Sequence, residues 1–342
     1  MRKILIGVAA LFFLAAGLSP AAFAEMSIKF GHVAPPFHGQ SKGVEAFAEY
    51  VLEKTGGEIE VKTFPFGQLG SERSMAEQVQ FGTLEIASIT TAVLQNYVPE
   101  VAVMDLPFVW PDRETAYAVI DDEEFQEKIF GYLAPKGFVG IGWTENEFRD
   151  INNTKRPIRK PKDLQGLKIR VMNSPVYMDT FKQLGASPVG IPFPEIYNAL
   201  QQGVIDAQEN PLYTSILIKA TEVAKYVTDT NHCLTECMII VNRDFWDQLK
   251  PEQQEIFREA AKRCIKVNRE VNWEQQNQKM FKLDMSIEEY CKKNGVEVVT
   301  LGPEERNAFK DAIKPVWEKY RKELGPEVFD YFMAAVEKHR GK

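Results

Sequence analysis

Strand and helix patterns alternate through most of this chain, and that alternation limits the folds it can adopt. Residues 26–33 alternate apolar and polar side chains like a strand, which breaks at the prolines that follow. The next segment has helical spacing, with apolar residues at Val44, Phe47, Ala48, Val51 and Leu52. Residues 58–64 then alternate again as a strand. Short connections between such units predict an α/β fold with parallel strands and crossover helices.

A short internal repeat indicates two similar lobes. "QFGTLEIA" (80–87) and "QQGVIDAQ" (201–208) align at an offset of 121, and in both a predicted helix reaches a glycine before a short strand. The segments after these strands, 89–91 and 209–211, would lie at equivalent sheet edges. Open parallel sheets bind ligands at the carboxyl ends of their strands. Two such edges facing each other would form a cleft.

Residues 251–293 favour one long helix, because they contain no proline after Pro251 and no glycine. Unbroken, it would reach roughly 60 Å at 1.5 Å per residue, which is enough to back both lobes. Residues 325–339 predict one further amphipathic helix. No linker or low-complexity run divides the chain, so lobes that share strands fit better than domains in series.

The first 24 residues have the features of a secretory signal peptide. Arg2 and Lys3 precede an apolar run, and Ala22-Phe23-Ala24 supplies a cleavage site. An uncleaved anchor is the alternative, but the apolar run is short for a membrane span. We predict cleavage after Ala24 and an exported protein that is not itself membrane-embedded.

The overall charge argues against nucleic acid as a partner. Of the 41 basic residues, 39 remain without Arg2 and Lys3, against 48 acidic ones, which gives a net charge of −9. The acidity is spread over predicted helix surfaces. Any basic group that binds an anion must therefore act locally.

The four cysteines predict free thiols and no metal site. Cys233 and Cys237 lie in a predicted strand, which separates their Cα atoms by roughly 13 Å, too far for a disulfide. Cys264 and Cys291 lie in helical sequence. Zinc bound by His232, Cys233 and Cys237 is an alternative, but it matches no strong ligand spacing.

The sequence lacks the common catalytic motifs. It has no G-x-S-x-G, no H-E-x-x-H and no glycine-rich phosphate loop, and its four histidines show no paired spacing. We therefore predict that the protein is not an enzyme and requires no cofactor.

One arginine stands at the end of a strand that otherwise looks half buried. "LKIRVMNSP" (167–175) alternates like a strand and stops at Asn173-Ser174-Pro175, with Arg170 near its end. A planar guanidinium can hold a carboxylate with two parallel hydrogen bonds, whereas lysine offers a point charge. A surface salt bridge is the alternative role for Arg170.

Several motifs together resemble one family. "LKIRV", "GASP" (185–188) and "DAQENP" (206–211), with "GQLGSERSMAEQVQFG" (67–82) and "NHCLTECMIIVNRDFW" (231–246), are similar to the DctP-type solute-binding subunits of tripartite ATP-independent periplasmic (TRAP) transporters. The resemblance implies a two-lobed α/β periplasmic binding protein fold with a central cleft, crossing hinge strands and a long helix spanning both lobes. It places 25–146 and 236–275 in lobe one, and 147–235 and 276–342 in lobe two.

The resemblance also implies a function. Such proteins bind a small organic anion in the cleft, close over it and deliver it to the subunits of a sodium-coupled membrane permease, and we expect a monomer. A carboxylate is the expected ligand, and a sulfonate offers the same paired oxygens. A ligand-sensing subunit of a signalling system would share the same cleft residues and is the alternative.

In lobe two, the resemblance implies that Arg170 binds the ligand carboxylate and that Asn210 contacts the same end of the ligand. The alternative role of Asn210 is a turn before Pro211. Glu209 would be linked to the ligand through water, and His232 would join that network, with a purely structural role as its alternative.

Three further lobe-two residues are implied to contact the ligand. Arg149 would act as a second arginine, with a surface position as its alternative. Asn173 would offer an amide, and Phe193 would form an aromatic wall. Phe193 can also be a core residue, and the two roles do not exclude each other.

In lobe one, Glu72 would accept a ligand hydroxyl, with a helix-start charge as its alternative role. Thr90 and Thr91 stand where sialic-acid-binding members carry charged groups, which argues against a sialic acid. His32 would face the cleft by analogy.

Overall fold

The computed structural model describes residues 26–280 and 282–341, so the predicted signal peptide and its cleavage site lie outside the described residues. The described strands are β1 (Met26–Gly31), β2 (Ile59–Phe64), β3 (Ile86–Thr90), β4 (Phe138–Phe148), β5 (Asp150–Asn153), β6 (Lys168–Val171), β7 (Ser187–Gly190), β8 (Ala207–Asn210), β9 (Tyr226–Thr228), β10 (Leu234–Asn242) and β11 (Glu297–Val299).

The helices fall between the strands, as the alternation predicts. They are α1 (Gly39–Lys54), α2 (Glu72–Gln80), α3 (Thr91–Leu94), α4 (Arg113–Ile120), α5 (Glu123–Leu133), α6 (Pro175–Gln183), α7 (Ile196–Gln201), α8 (Leu212–Leu217), α9 (Ala220–Val223), α10 (Arg243–Gln248), α11 (Pro251–Asn277), α12 (Ile287–Asn294), α13 (Pro303–Ala312) and α14 (Lys314–His339).

The first lobe is built on a five-stranded sheet in the order β2-β1-β3-β10-β4. The strands β1, β2 and β3 are parallel, and β10 runs antiparallel to both β3 and β4. Helix α1 buries Val44, Phe47 and Val51 against this sheet. Leu52, predicted on the same face, is 44% exposed, because a residue eight positions from Val44 lies about 80° around the helix.

The second lobe is built on a six-stranded sheet in the order β11-β9-β5-β8-β6-β7. Its strands β8, β6 and β7 are parallel. Ile169 and Val171 of β6 are fully buried and pack with Phe181 and Phe309 in one apolar cluster. These contacts hold the strand that carries Arg170.

Two chain segments cross between the sheets side by side. The first passes from β4 to β5 through Arg149, and the second returns from β9 to β10. The Arg149 N–H donates to the Cys233 carbonyl (2.8 Å), and the His232 N–H donates to the Arg149 carbonyl (3.2 Å). The paired crossings form the predicted hinge strands, so the two-lobed α/β fold is confirmed.

The sequence repeat corresponds to a structural repeat. In each copy a helix is followed by a glycine with positive φ and then by a strand. The acidic residue of each copy accepts a hydrogen bond from the backbone N–H of the neighbouring parallel strand: Glu85 from Lys29 (2.8 Å) and Asp206 from Lys168 (3.0 Å). The two carboxylates therefore have the same structural role.

The long helix is shorter than the sequence predicts. Helix α11 ends at Asn277 because Gln278 leaves the helical region (φ −126°, ψ −114°), and α12 begins separately after its cap Ser286. Its 27 residues extend for about 40 Å. The helix still contacts both lobes, since Asn272 accepts a hydrogen bond from the Tyr213 hydroxyl (2.8 Å).

The last helix also touches both lobes. Helix α14 bends at Gly325 (φ 78°), the residue before Pro326. Phe332 packs on Trp110 of lobe one at a ring distance of 5.1 Å, whereas the Tyr320 hydroxyl donates to Asp179 of lobe two (2.8 Å). Helix α14 therefore packs against both lobes and does not belong to lobe two alone. The predicted lobe boundaries remain a proposal.

The four cysteines are buried free thiols. Among the described residues no group of three or more potential ligands is placed to hold a metal ion. No helix in the described part of the chain combines the length and apolar character of a membrane span.

Candidate functional site

A small cavity lies between the lobes, where the carboxyl ends of β3 and β8 face each other. Thr90 ends β3 and Asn210 ends β8, and both line the cavity, which confirms the cleft that the repeat predicts. Six of the predicted site residues line it: Glu72, Thr90, Arg149, Arg170, Phe193 and Asn210. The other lining residues are Val33, Ala34, Pro35, His38, Gln40, Asn146, Met172, Thr214 and Cys237.

Arg170 is a buried cation with an unused donor. Its side chain extends from β6, is 2% exposed, and donates from Nε to the Ile191 carbonyl (2.7 Å). Its Nη1 has no hydrogen-bond partner among the described residues. Burial lowers the pKa of Arg170 to about 10, so the guanidinium remains charged at neutral pH. A charged, unpaired donor of this kind favours an anion in the cavity.

Asn210 presents an unused acceptor to the same cavity. Its Nδ2 donates to Oε1 of Gln208 (2.5 Å), and Gln208 in turn donates to Asn152 (2.8 Å) and Ser215 (2.9 Å). The buried Oδ1 of Asn210 has no partner among the described residues. The amide is therefore held in place by lobe two and left free on one side.

Arg149 lines the cavity, but its charge is already paired. Its Nε and Nη2 donate to the Glu209 carboxylate, Nη2 also donates to the Glu209 carbonyl, and Nη1 donates to Thr235 (3.2 Å). Burial opposes the charge, but the Glu209 carboxylate raises the pKa of Arg149 above its usual value. Among the described cavity residues, Arg170 is thus the cation without a counter-ion.

Glu209 and His232 lie behind Arg149 rather than on the cavity wall. The Nε2 of His232 is 3.5 Å from Glu209 Oε2, and its Nδ1 is 2.8 Å from the Thr230 hydroxyl. Burial lowers the pKa of His232, whereas for Glu209 the nearby Arg149 outweighs burial and lowers the pKa. The two residues are placed to orient Arg149, and their link to a ligand stays a prediction.

Glu72 stands both at the start of a helix and on the cavity wall. Ser71 caps α2, accepting from the Ser74 N–H (3.2 Å), and Glu72 occupies the first turn. Its carboxylate also reaches the cavity, where it accepts from the Thr90 N–H (2.7 Å) and the Thr90 hydroxyl (3.3 Å). Burial raises the pKa of Glu72, while Arg170 and Arg149 oppose that rise.

Two predicted lobe-one residues do not line the cavity. Thr91 is fully buried and donates to Asp105 (2.9 Å), whose pKa burial raises to about 8. The first turn of α3 thus directs Thr91 into the protein. His32 is 1% exposed, and burial lowers its pKa to about 3. The histidine of this region that reaches the cavity is His38.

Asn173 and Phe193 lie near each other at one side of the cavity. Asn173 borders a smaller neighbouring space together with Arg170, Glu72 and Phe193, and it is not part of the main wall. Its side chain packs against Gly190. A Cβ atom at position 190 would lie only 2.3 Å from Oδ1 of Asn173. Phe193 lines both spaces, in agreement with its predicted place.

Sequence reasoning missed a neutral polar wall. The Nδ1 of His38 accepts from the Gln40 N–H (3.0 Å), so its Nε2 carries the proton and lies 2.9 Å from Asn146 Oδ1. Burial lowers the pKa of His38 to about 4, so the ring is neutral at pH 7. Thr214 donates to the same Asn146 oxygen (3.2 Å). His38 and Gln40 follow the carboxyl end of β1, and this position could have indicated from sequence that they line the cleft. No comparable sequence feature marks Asn146.

Two α/β lobes that enclose a cavity with an unpaired arginine define a binding protein for a small anion. The chain belongs to the bacterial extracellular solute-binding protein family 7, DctP, whose model matches residues 30–323. This confirms the family that the sequence motifs indicated. It also confirms that the chain is not an enzyme, since the family consists of solute-binding proteins.

Similar proteins support this membership. A solute-binding protein of Verminephrobacter eiseniae is 38% identical over 230 residues, which are 67% of this chain and 68% of that protein. A TRAP periplasmic solute-binding protein from Sulfurospirillum deleyianum, crystallised with bound succinate, is 32% identical with a TM-score of 0.85 over 92% of this chain and 100% of that chain. A sugar acid binding protein from Advenella mimigardefordensis, in complex with galactonate, is 31% identical with a TM-score of 0.83 over 92% and 98%.

Proposed function

We propose that this chain is the periplasmic subunit of a TRAP transporter that captures a small organic acid and delivers it to the membrane permease. The observation that carries the proposal is the unpaired Nη1 of Arg170 in a cavity between two lobes. Family membership supports the permease as partner, and we expect a monomer. The succinate and galactonate complexes of similar proteins support an organic acid as ligand.

The acid group would bind to lobe two before the lobes close. Arg170 is fixed by its bond to Ile191 and by the buried neighbours of β6, so little side-chain freedom remains to be lost on binding. Phe193 would pack on the carbon chain of the ligand. The carboxylate is the expected acid group, and a sulfonate would present equivalent paired oxygens to the guanidinium.

A ligand screen tests this function. We expect the mature protein, residues 25–342, to be stabilised against heat by at least one small organic acid, because a ligand that binds the folded state alone raises the melting temperature. A thermal-shift screen of carboxylates and sulfonates, followed by calorimetry, measures this. Neutral sugars and amines serve as controls. Stabilisation by neutral compounds and by no acid would contradict the proposal.

We also expect the lobes to close on the ligand. Arg170 and Asn210 are only 2% and 1% exposed, so a ligand can reach them only if the lobes first separate about the crossing strands. Small-angle scattering should therefore give a smaller radius of gyration at saturating ligand than without it. Equal radii in both states would contradict lobe closure. The same scattering data give the molecular mass and so test the expected monomer.

A further inference from the structure

We propose that the ligand is a hydroxylated monoanion: a short molecule with one acid group held by Arg170 and at least one hydroxyl near Glu72, Gln40, Asn146 or Asn210. This inference rests on the proposed function and narrows it to a substrate class. It follows from the number of unpaired charges around the cavity and from the kind of polar atoms that remain free.

The first step is the count of cations. Of the two arginines on the cavity wall, Arg149 is neutralised by Glu209, so one unpaired cation, Arg170, remains among the described lining residues. The structural repeat places Gly31 of lobe one where lobe two has Arg170, since Phe30 and Ile169 pair with equivalent strand positions. Lobe one therefore offers no second guanidinium at the matching position.

The second step is the charge of the opposite wall. Glu72 directs its carboxylate to the cavity and is bound there by two hydrogen bonds from Thr90. His38 is neutral, because its Nδ1 accepts a backbone hydrogen bond and it is buried. A second carboxylate on the ligand would meet an acidic group and neutral dipoles, which disfavours a dianion.

The third step is the set of neutral amides on the wall. The buried Oδ1 of Asn210 has no partner among the described residues. Two further amides line the same cavity: Gln40 donates from Nε2 to Ser88 (2.8 Å), and Asn146 accepts at Oδ1 from Thr214 (3.2 Å). A hydroxyl can donate and accept at once, so it satisfies such groups better than a methylene or a second carboxylate does.

Four probes of similar length test the class by calorimetry on the mature wild-type protein. D-glycerate carries one carboxylate and two hydroxyls, isethionate one sulfonate and one hydroxyl, propionate one carboxylate alone, and succinate two carboxylates. We expect glycerate or isethionate to bind at least about tenfold more tightly than propionate and succinate, since one lost hydrogen bond costs about that factor.

A matched pair of variants tests the role of Glu72. Glu72→Gln keeps the size of the side chain but removes its charge. It should reduce the preference for the hydroxylated probe, measured as its affinity divided by that of succinate, about tenfold. Glu77→Gln, on the exposed face of the same helix, should leave that ratio unchanged. A melting curve of each variant checks that it is folded.

The outcomes separate the inference from the proposed function. If succinate binds the wild type most tightly, or if the wider screen finds a dianion, the ligand is not a monoanion. If propionate binds most tightly, a hydroxyl is not required. In each case the organic-acid function would stand. Binding of no acid at all would contradict both.

Discussion

Replacing Arg170 with alanine is expected to weaken binding of the acid ligand by roughly thirtyfold to several thousandfold. This range corresponds to about 2–5 kcal/mol, the usual loss when one partner of a buried, hydrogen-bonded ion pair is removed. Calorimetry with the ligand found by the screen measures the effect. Arg170→Lys should remain clearly impaired, because lysine keeps the charge but cannot form two parallel hydrogen bonds.

The ligand-free protein should tolerate the same change. Arg170 is buried without a counter-ion, and its pKa is lowered by burial, so the charge costs folding free energy in the absence of an anion. Arg170→Met, which retains much of the apolar stem, should therefore melt at or above the wild-type temperature. Near wild-type affinity in Arg170→Ala, or a collapsed melt without ligand, would show that Arg170 has a structural role instead.

The second arginine should respond in the opposite way. Arg149→Met is expected to destabilise the ligand-free protein by about 3–5 kcal/mol, because it leaves the buried Glu209 carboxylate without its counter-ion. For a chain of this size the melting temperature should fall by roughly 10 °C. We therefore expect the two buried arginines to behave as a matched pair, with Arg149 required for stability and Arg170 for binding.

A double variant isolates the pair itself. Arg149→Met combined with Glu209→Leu removes both charges and should recover much of the stability that either single variant loses. Arg243→Met, which breaks an exposed pair with Asp247 (2.9 Å), should cost less than about 1 kcal/mol and serves as the control. An unchanged melt in Arg149→Met together with lost affinity would return Arg149 to the ligand-binding role that the sequence predicts.

The sequence was sufficient where one local signal determines one local structure. The two copies of the repeat predict helices that reach a glycine, and both helices are followed by glycines with positive φ. The alternation around Arg170 predicts a strand held by Ile169 and Val171, and both are buried. Motifs of this kind depend on neighbours along the chain, so they can be read without the fold.

The sequence was insufficient where a residue's role depends on which distant groups it meets. Arg149 and Arg170 both resemble anion-binding arginines, yet Glu209, 60 residues from Arg149, pairs with the first of them. Thr90 and Thr91 are adjacent and chemically identical, but the turn into α3 directs one to the cavity and the other to Asp105.

The sequence by itself thus determined the α/β class, the two lobes and the family, and it singled out Arg170 as the proposed anion-binding residue, because strand periodicity, glycine turns and motif spacing are local properties of the chain. Only the tertiary structure decided which charges are left unpaired around the cavity and which neutral groups, among them His38, Gln40 and Asn146, complete its wall. The physical reason is that burial and Coulomb pairing depend on distances between residues far apart in sequence, which the folding of the two lobes sets.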